Sequence, residues 1–272
     1  MAVDIFTPEP TVSETRTPTR VPTLTQTPTQ EMQQVITSEI DGMQMVFVPA
    51  GEFIMGSEDG AGDESPVHTV YLDAYWIDLT EVTNDQYRMC VEAGACDYSG
   101  DTRHFRNLNS NDHPVVWVDW YDANDYCQWA GRELPTEAQW EKATRGTDGR
   151  TYPWGEGVDC SLVNFGECNN NTKTSQTSPV GTFLNGASPY GAPDMAGNVW
   201  EWTADWYYED YYALAPMDNP TGPESGVYRV MRGGSWSSSG EYVRSAVRGT
   251  FIFTNYKTYI VGFRCAQSAV SP

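Results

Sequence analysis

The chain has 272 residues, of which 39% are hydrophobic and 13% aromatic, and its formal net charge is −21. This charge argues against nucleic-acid binding, which needs a basic surface, and against docking on anionic lipid. A solvated acidic surface is the simplest explanation of the charge, although acidic side chains would also allow Ca²⁺ sites, which take hard oxygen ligands.

The N-terminal part has no pattern of a folded domain. The opening stretch MAVDIFTPEP lacks a basic and a long apolar region, so we predict no signal peptide. No apolar run of about 18 residues occurs, so we also expect no membrane insertion of this chain. Residues 7–30 are rich in Thr and Pro, which favours an extended spacer. We therefore predict a disordered linker or stalk over residues 1–37 and one folded domain over residues 38–272.

The regular elements are concentrated in the first half of this domain. The stretch MQMVFVPAGEFIMGS predicts two short strands around a Pro-Ala-Gly turn, and HTVYLDAYWIDLTEVT predicts a further strand region. Thr83 and Gln86 then form a capping box, and Gly94 suits the position after the last turn. This pattern predicts a helix at about residues 84–93.

Two more helices are expected before residue 147. Four residues of the first fall on one face at helical spacing: Trp120, Ala123, Cys127 and Ala130. Gly131 ends that helix, and the next begins at a capping box of Thr136 and Gln139 and ends at Gly146.

From Thr151 onward the sequence is rich in Gly, Asn, Pro and aromatic residues. It contains short strand-like pieces: YRVMRGG, YVRSAVRG and IVGFRCA. Loops this long need disulfides, ions or aromatic packing to hold them. Four apolar residues are expected to face the core from a strand: Val243, Ala246, Val247 and Ile260.

The six cysteines contain no Cys-x-x-Cys pair, and the chain has only three histidines. This spacing excludes the usual zinc sites and favours disulfides in an oxidising compartment, so we expect an extracellular or cell-surface location. The pattern alone leaves the pairing open.

Motifs along the whole domain resemble one family. In order, they are MVFVPAGEFIMGS, PVHTVYLDAYWIDLTEVTNDQY, HPVVWVDWYDANDYCQWAGRELPTEAQWEKATRG, YPWG, SPYGAPDMAGNVWEWTADWY, RGGSW and GFRCA. Over about residues 40–267 the chain resembles the formylglycine-generating enzyme (sulfatase-modifying factor) family. The resemblance implies an α+β, C-type lectin-like fold with little regular secondary structure. The family includes enzymes and non-enzymes, so the resemblance indicates fold more firmly than function.

The enzymes of this family use two cysteines after a Gly-Gly-Ser to bind copper(I) and to oxidise a substrate cysteine with O₂. Here the corresponding run, GGSWSSSGEYVRSAVR, contains no cysteine. The first ligand falls at about Ser238 and the second has no counterpart. A hydroxyl cannot replace a thiolate for copper(I). We expect no copper and disfavour the alternative that the chain is an oxidoreductase generating formylglycine in sulfatases.

Iron-dependent relatives use a three-histidine site built partly from an extra helical domain, which this chain lacks. His68, His104 and His113 are therefore expected to be structural. The resemblance also pairs Cys127 with Cys265, which leaves two local pairs: Cys90–Cys96 and Cys160–Cys168.

The stretch DMAGNVWEW matches a Ca²⁺ site of the family. The resemblance implies carboxylate ligands from Asp194 and Glu201 and backbone carbonyl ligands from Gly197 and Val199. The alternative is a turn with two core tryptophans that holds without metal.

A second family Ca²⁺ site would use Asn164, the carbonyl of Phe165 and a carboxylate. Thr172 stands where that carboxylate should be, so the match to this site is incomplete.

Residues 236–260 combine aromatic side chains with hydroxyl and amide groups, which is the composition of an antibody-type binding surface. The stretch FIFTNY would be unusual in a solvent loop, because exposed apolar clusters normally contact a partner. We predict a surface for an unknown protein or small ligand, formed by Trp236, Ser237, Ser238, Ser239, Glu241, Tyr242, Phe251, Phe253, Asn255, Tyr256 and Tyr259.

The same segment, between GGSW and GFR, also resembles the variable proteins of diversity-generating retroelements. In these proteins adenines in Asn-type codons are mutagenised, and the residue types found here are reachable by such changes. Two other interpretations stay open: a family domain whose loop has no special role, and an enzyme of unrecognised chemistry.

Overall fold

The computed structural model describes Met1, residues 34–169 and residues 176–269. Residues 33–272 separate from the preceding residues as one compact unit. Most of the predicted stalk therefore lies outside the described residues. The first strand begins at Val35, three residues before the expected domain boundary at residue 38.

Short strands form three separate sheets in the described part of residues 33–272. Those in the described ranges are β1 (Val35–Thr37), β2 (Gln44–Val48), β3 (Gly51–Met55), β4 (His68–Leu72), β5 (Tyr75–Asp78), β6 (Trp200–Trp206), β7 (Arg229–Arg232), β8 (Val261–Gly262) and β9 (Ala266–Ser268). One antiparallel sheet has the order β1-β2-β5-β9, and β3 pairs with β4. In the third, β7-β6-β8, strands β6 and β8 run parallel. The two strands predicted around the Pro-Ala-Gly turn form as expected, but they belong to different sheets.

Helices are few and short. The described ones are α1 (Asn84–Glu92), α2 (Thr102–Phe105), α3 (Trp120–Trp129), α4 (Glu137–Arg145), α5 (Gly166–Asn169) and α6 (Tyr211–Leu214). Both predicted capping boxes form, at Thr83 and at Thr136, because each hydroxyl accepts from the backbone three residues on. No helix in the described ranges is long and apolar enough to cross a membrane. The predicted α+β fold with little regular structure is confirmed.

Aromatic residues supply most of the largest side chains in the core. Tyr87 and Tyr126 are fully buried, and their rings stack with centroids 5.6 Å apart. Trp140 and Trp202 are also fully buried. Large rings bury much apolar area per residue, which suits a chain with short elements.

All six cysteines are paired, in the three disulfides expected: Cys90–Cys96, Cys127–Cys265 and Cys160–Cys168. The second joins α3 to the residue immediately before β9. It therefore ties the C-terminal segment to the helical half of the domain.

The prediction of a strand in YVRSAVRG is wrong. Residues 240–243 form a 3₁₀ turn, and the residues after it are irregular. Val243, Ala246 and Val247 are nevertheless buried as expected, and Ile260 is partly buried. Their spacing does not follow the two-residue period of a strand.

Candidate functional site

The predicted surface belongs to a C-terminal segment, residues 234–260, which begins with a tight turn at Gly234. Its φ is 74°, and a Cβ at this position would lie 2.8 Å from the carbonyl oxygen of Tyr242. A side chain here would also lie 2.6 Å from Val243. Glycine is therefore required for the chain to turn and return so closely on itself.

Residues 243–249, the buried half of the segment, are held by a framework arginine. Apart from Arg244, all of them are buried. Arg232 donates at 2.6 Å to the carbonyl oxygens of both Ala246 and Val247. Its guanidinium also pairs with Glu141 of α4. The Arg232 side chain thus donates to carbonyls that would pair with backbone N–H groups of a neighbouring strand in a regular sheet.

A second arginine, from within the buried half, reaches the same helix. Arg248 makes a bidentate pair with Glu137, with distances of 2.8 and 3.0 Å between nitrogen and oxygen. Burial alone would raise the pKa of Glu137, but Arg248 and Arg232 hold it below its usual value. The carboxylate is therefore charged at neutral pH and fully engaged.

Residues 251–259, the exposed half, present aromatic side chains to solvent. Phe251, Phe253, Tyr256 and Tyr259 are each between 50% and 58% exposed, and Asn255 is exposed beside them. Such a row of half-exposed rings is typical of a contact surface.

The backbone of the exposed half is anchored although its side chains are not buried. The Trp120 N–H donates to the Thr254 carbonyl at 3.0 Å, and the Trp117 N–H donates to the Thr258 carbonyl at 2.8 Å. Lys257 pairs with Asp122 at the start of α3. The rings are thus displayed from a fixed backbone.

Two of the exposed rings rest on framework aromatics. The Phe251 ring lies edge-on to Trp200, with centroids 5.4 Å apart. The Phe253 ring stacks on Tyr228 at 5.2 Å. Each ring is therefore packed on one side and open to contact on the other.

The first part of the predicted surface, residues 236–242, lies against α5. The Gly166 N–H donates to the Ser238 carbonyl at 2.8 Å. Three of its predicted residues are exposed: Ser237, Glu241 and Tyr242. Three are partly buried: Trp236, Ser238 and Ser239. The Trp236 ring is 5.8 Å from Tyr259, which brings the two parts of the surface together.

A cleft of about 400 Å³ opens beside Tyr259. Its lining includes Ser110, His113, Trp117, Thr177, Trp236 and Tyr259. Trp117 was missed by sequence reasoning, since it stands in an apolar run that indicates core. It has a φ of 61°, rare for a tryptophan, and its ring is 5.9 Å from Tyr259. Strained residues of this kind cluster at functional sites.

Two of the three histidines contact a polar neighbour through Nδ1. His68 Nδ1 lies 2.9 Å from the Pro66 carbonyl, and His113 Nδ1 lies 2.9 Å from the Thr177 hydroxyl. The side chain of His104 lies outside the described part of the structure. The Ser238 hydroxyl, at the expected position of the first copper ligand, lies 3.1 Å from the Ser235 hydroxyl.

The predicted first calcium set lies in a buried turn before β6. Asp194 is buried, with φ of 58°, and its Oδ2 accepts from the Gly181 N–H at 2.6 Å. Both carboxylate oxygens of Glu201 accept from Arg264, at 2.7 and 2.8 Å. Trp140 Nε1 also donates to Glu201, at 2.7 Å.

A further carboxylate, Glu81, faces the same turn. It is fully buried, and repulsion from Asp194 and Glu201 adds to burial in raising its pKa well above the usual value. Burial also raises the pKa of Asp194 to about 6. Sequence reasoning missed Glu81, although an acidic residue between Thr80 and Val82 in a strand-like stretch is an unusual choice.

These residues fit a hard cation. Within the described ranges, no group of three histidine, cysteine or acidic side chains is arranged to hold a metal by itself. A site here would therefore draw on backbone carbonyls, as the predicted set with Gly197 and Val199 does. Carboxylate and carbonyl oxygens are what Ca²⁺ takes.

The second predicted calcium set adjoins the first. Asn164 Nδ2 donates to the Ser178 hydroxyl at 2.9 Å, and the Asn164 carbonyl accepts from the Asn198 N–H at 2.8 Å. The Phe165 carbonyl accepts from the Cys168 N–H at 3.2 Å. Thr172, at the position of the missing carboxylate, lies outside the described residues.

Comparison with known proteins gives one family match and three relatives by sequence. Residues 31–269 match the family model of the sulfatase-modifying factor enzyme 1-like domain. The serine/threonine-protein kinase pkn1 of Chlamydia caviae is 38% identical, covering 82% of this chain but only 38% of the kinase. The formylglycine-generating enzyme of Streptomyces coelicolor is 34% identical, covering 82% of this chain and 89% of that enzyme. The mouse inactive C-alpha-formylglycine-generating enzyme 2 is 32% identical, covering 84% and 87%.

Solved structures share the fold. PvdO from Pseudomonas aeruginosa superposes with a TM-score of 0.74 at 28% identity, covering 87% of this chain and 98% of that one. Treponema denticola variable protein 1 superposes with a TM-score of 0.69 at 24% identity, covering 88% and 99%. The second likeness concerns the fold alone.

Proposed function

The chain belongs to the sulfatase-modifying factor enzyme 1-like domain family, and we propose that it is a non-catalytic binding domain of that family. Its surface for a protein or small ligand is formed by residues 236–260. The observation that carries this proposal is the row of half-exposed rings from Phe251 to Tyr259 on an anchored backbone. Rigid aromatic side chains give large contact area at low entropic cost.

The chemistry of the segment supports a role without catalysis. Copper(I) is held by soft thiolates, and the run from Gly233 to Arg248 contains none. All six cysteines of the chain are in disulfides. The family also includes a mouse relative that is named as inactive.

The three disulfides support a location in an oxidising compartment. We place the domain outside the cell or at its surface, where the Thr/Pro-rich residues 7–30 would separate it from an anchor or a neighbouring domain.

A structural Ca²⁺ is part of the proposal. Asp194, with the carbonyls of Gly197 and Val199, would hold it in the turn before β6. The ion would supply positive charge among buried carboxylates, and its removal with a chelator would lower the melting temperature. An unchanged melting temperature would show that no bound Ca²⁺ stabilises the domain.

A selection experiment tests the binding surface. Peptides selected from a displayed random library on the wild-type domain are expected to bind a Phe253→Ala/Tyr256→Ala/Tyr259→Ala variant at least about tenfold more weakly, because buried aromatic anchors dominate contact energies. The control is Tyr208→Ala, an aromatic residue of similar exposure (47%) outside the segment. Selected peptides that bind the triple variant as well as the wild type would contradict the proposal.

The enzymatic alternative has a direct assay. We expect no aldehyde when the domain is incubated with copper(I), O₂ and a Cys-x-Pro-x-Arg peptide. Formation of the aldehyde would contradict the proposal that the domain is non-catalytic.

Diversification of the surface predicts sequence variation in residues 236–260 between copies of the locus, together with a template repeat beside a reverse-transcriptase gene. Uniform sequence without such a repeat would contradict it.

A further inference from the structure

Glu81 carries a buried oxygen that no group in the described part of the chain satisfies. The side chain is fully buried, three residues after β5. Its Oε1 accepts from Asn198 Nδ2 at 2.9 Å, whereas Oε2 has no hydrogen-bond partner among the described residues. A buried carboxylate oxygen without a donor is costly, so something outside the protein chain is expected to meet it.

The surrounding charges do not balance. Glu81, Asp194 and Glu201 share one neighbouring guanidinium, that of Arg264. Both carboxylate oxygens of Glu201 accept hydrogen bonds from this guanidinium. Arg264 also donates to three carbonyls, those of Asp78, Leu79 and Pro193. Glu81 and Asp194 are therefore two buried carboxylates with no ion-pair partner in the described ranges.

The turn between these carboxylates is built with unusual backbone. Asp194, Gly197 and Asn198 all have positive φ, at 58°, 75° and 57°. A Cβ at Gly197 would lie 2.3 Å from the Asn164 carbonyl oxygen. The polypeptide accepts strain at two non-glycine residues here, as ligand sites often do.

We propose that Glu81 is a ligand of the bound Ca²⁺ together with Asp194, and that Glu201 instead holds Arg264 in place. This inference rests on the calcium part of the proposed function. It departs from the ligand set that the family resemblance implies, in which Glu201 binds the ion. A hard dication supplies the charge that two unpaired carboxylates need and the contact that the free oxygen of Glu81 lacks.

Calorimetric titration with CaCl₂ after removal of metal by EDTA tests this assignment. The wild type is expected to bind Ca²⁺ and to melt at a higher temperature with it. Glu81→Gln is expected to bind that ion at least tenfold more weakly. Its melting temperature in EDTA should not be lower than that of the wild type, because the Gln amide oxygen still accepts from Asn198 Nδ2 and the amide places no charge in the buried turn.

Two variants separate this role from a structural one. Glu201→Gln weakens the partner of the buried Arg264, so its melting temperature should fall in EDTA as well as in Ca²⁺. Asp205→Asn changes a buried carboxylate elsewhere and should leave Ca²⁺ affinity unchanged.

Three outcomes would overturn the assignment of Glu81. Wild-type affinity in Glu81→Gln would do so while leaving the calcium site itself standing. An equal loss of melting temperature in EDTA and in Ca²⁺ would make Glu81 a structural acceptor only. Absence of Ca²⁺ binding by the wild type would remove the calcium proposal and this inference together, without touching the binding surface.

Discussion

The buried half of the C-terminal segment, residues 243–249, and the exposed half, residues 251–259, are similar in length but are held in different ways. The buried half is fixed through its side chains and carbonyls, by Arg232 and by the pair of Arg248 with Glu137. The exposed half is fixed through its backbone, which leaves its rings half exposed. The difference indicates that the framework positions the segment while the exposed rings stay available for contact.

The largest expected effect comes from the disulfide that fixes the far end of the segment. Cys127 and Cys265 are separated by 138 residues. In the chain-entropy model, Cys127→Ala with Cys265→Ala should therefore lower the free energy of unfolding by about 5 kcal/mol. Chemical denaturation measures this loss.

The matched control is the local pair Cys160–Cys168, separated by 8 residues. Its removal should cost about half as much, on the order of 2–3 kcal/mol. Equal losses of unfolding free energy on removal of the two disulfides would show that the length of the closed loop does not set the stabilisation.

The next effect tests the ion pair of the buried half. Arg248→Ala leaves Glu137 charged, buried and without its bidentate partner, so we expect a loss of about 3–5 kcal/mol in denaturation experiments. Arg150→Ala, at an exposed pair with Asp148, should cost about 1 kcal/mol or less. A loss for Arg248→Ala no larger than that for Arg150→Ala would contradict the framework role.

The buried carboxyl group of Asp205, beside Glu137, predicts that stability depends on pH. Asp205, whose Oδ2 accepts from the Glu137 N–H at 2.7 Å, is buried, and burial raises its pKa to about 8. The folded protein therefore holds a proton that the unfolded chain loses near pH 4. The stability contributed by Asp205 is complete below about pH 4 and is lost as the pH rises to about 8.

Asp205→Asn removes this dependence. The stability of the wild type relative to the variant should therefore fall between about pH 5 and about pH 9, as measured by urea denaturation at both values. Titration of Glu137 occurs in both proteins and cancels in the comparison. A difference that stays constant across this range would show that Asp205 has no raised pKa.

The smallest effect on stability is expected in the exposed half. Phe253→Ala should change the free energy of unfolding by about 1 kcal/mol or less, because the ring packs on Tyr228 with one face only. Thermal or chemical denaturation checks this value. A loss as large as that for Arg248→Ala would make the ring a core residue.

Local chemistry made much of the fold predictable from sequence. The capping boxes at Thr83 and Thr136 are complete within four residues, and both helices begin where they indicate. The disulfides followed from the resemblance to a family, whereas cysteine spacing alone left the pairing open.

Long-range contacts account for what the sequence did not reveal. The division of the segment near residue 250 depends on carbonyls that accept from Arg232, and no period in YVRSAVRG encodes it. The placement of Glu81 depends on Asn198, which is 117 positions away. Trp117 lies in an apolar run, and only its contacts with Tyr259 and Thr258 place it at the cleft.

An alanine scan of residues 236–260, read by both unfolding free energy and binding of a selected peptide, distinguishes the two halves of the segment in a single experiment. We expect substitutions in residues 243–249 to lower stability, whereas those at Phe253, Tyr256 and Tyr259 should lower peptide affinity and leave stability nearly unchanged. Exposed-half substitutions that leave affinity intact, or that lower affinity only in proportion to stability, would contradict the claim that this half is the contact surface.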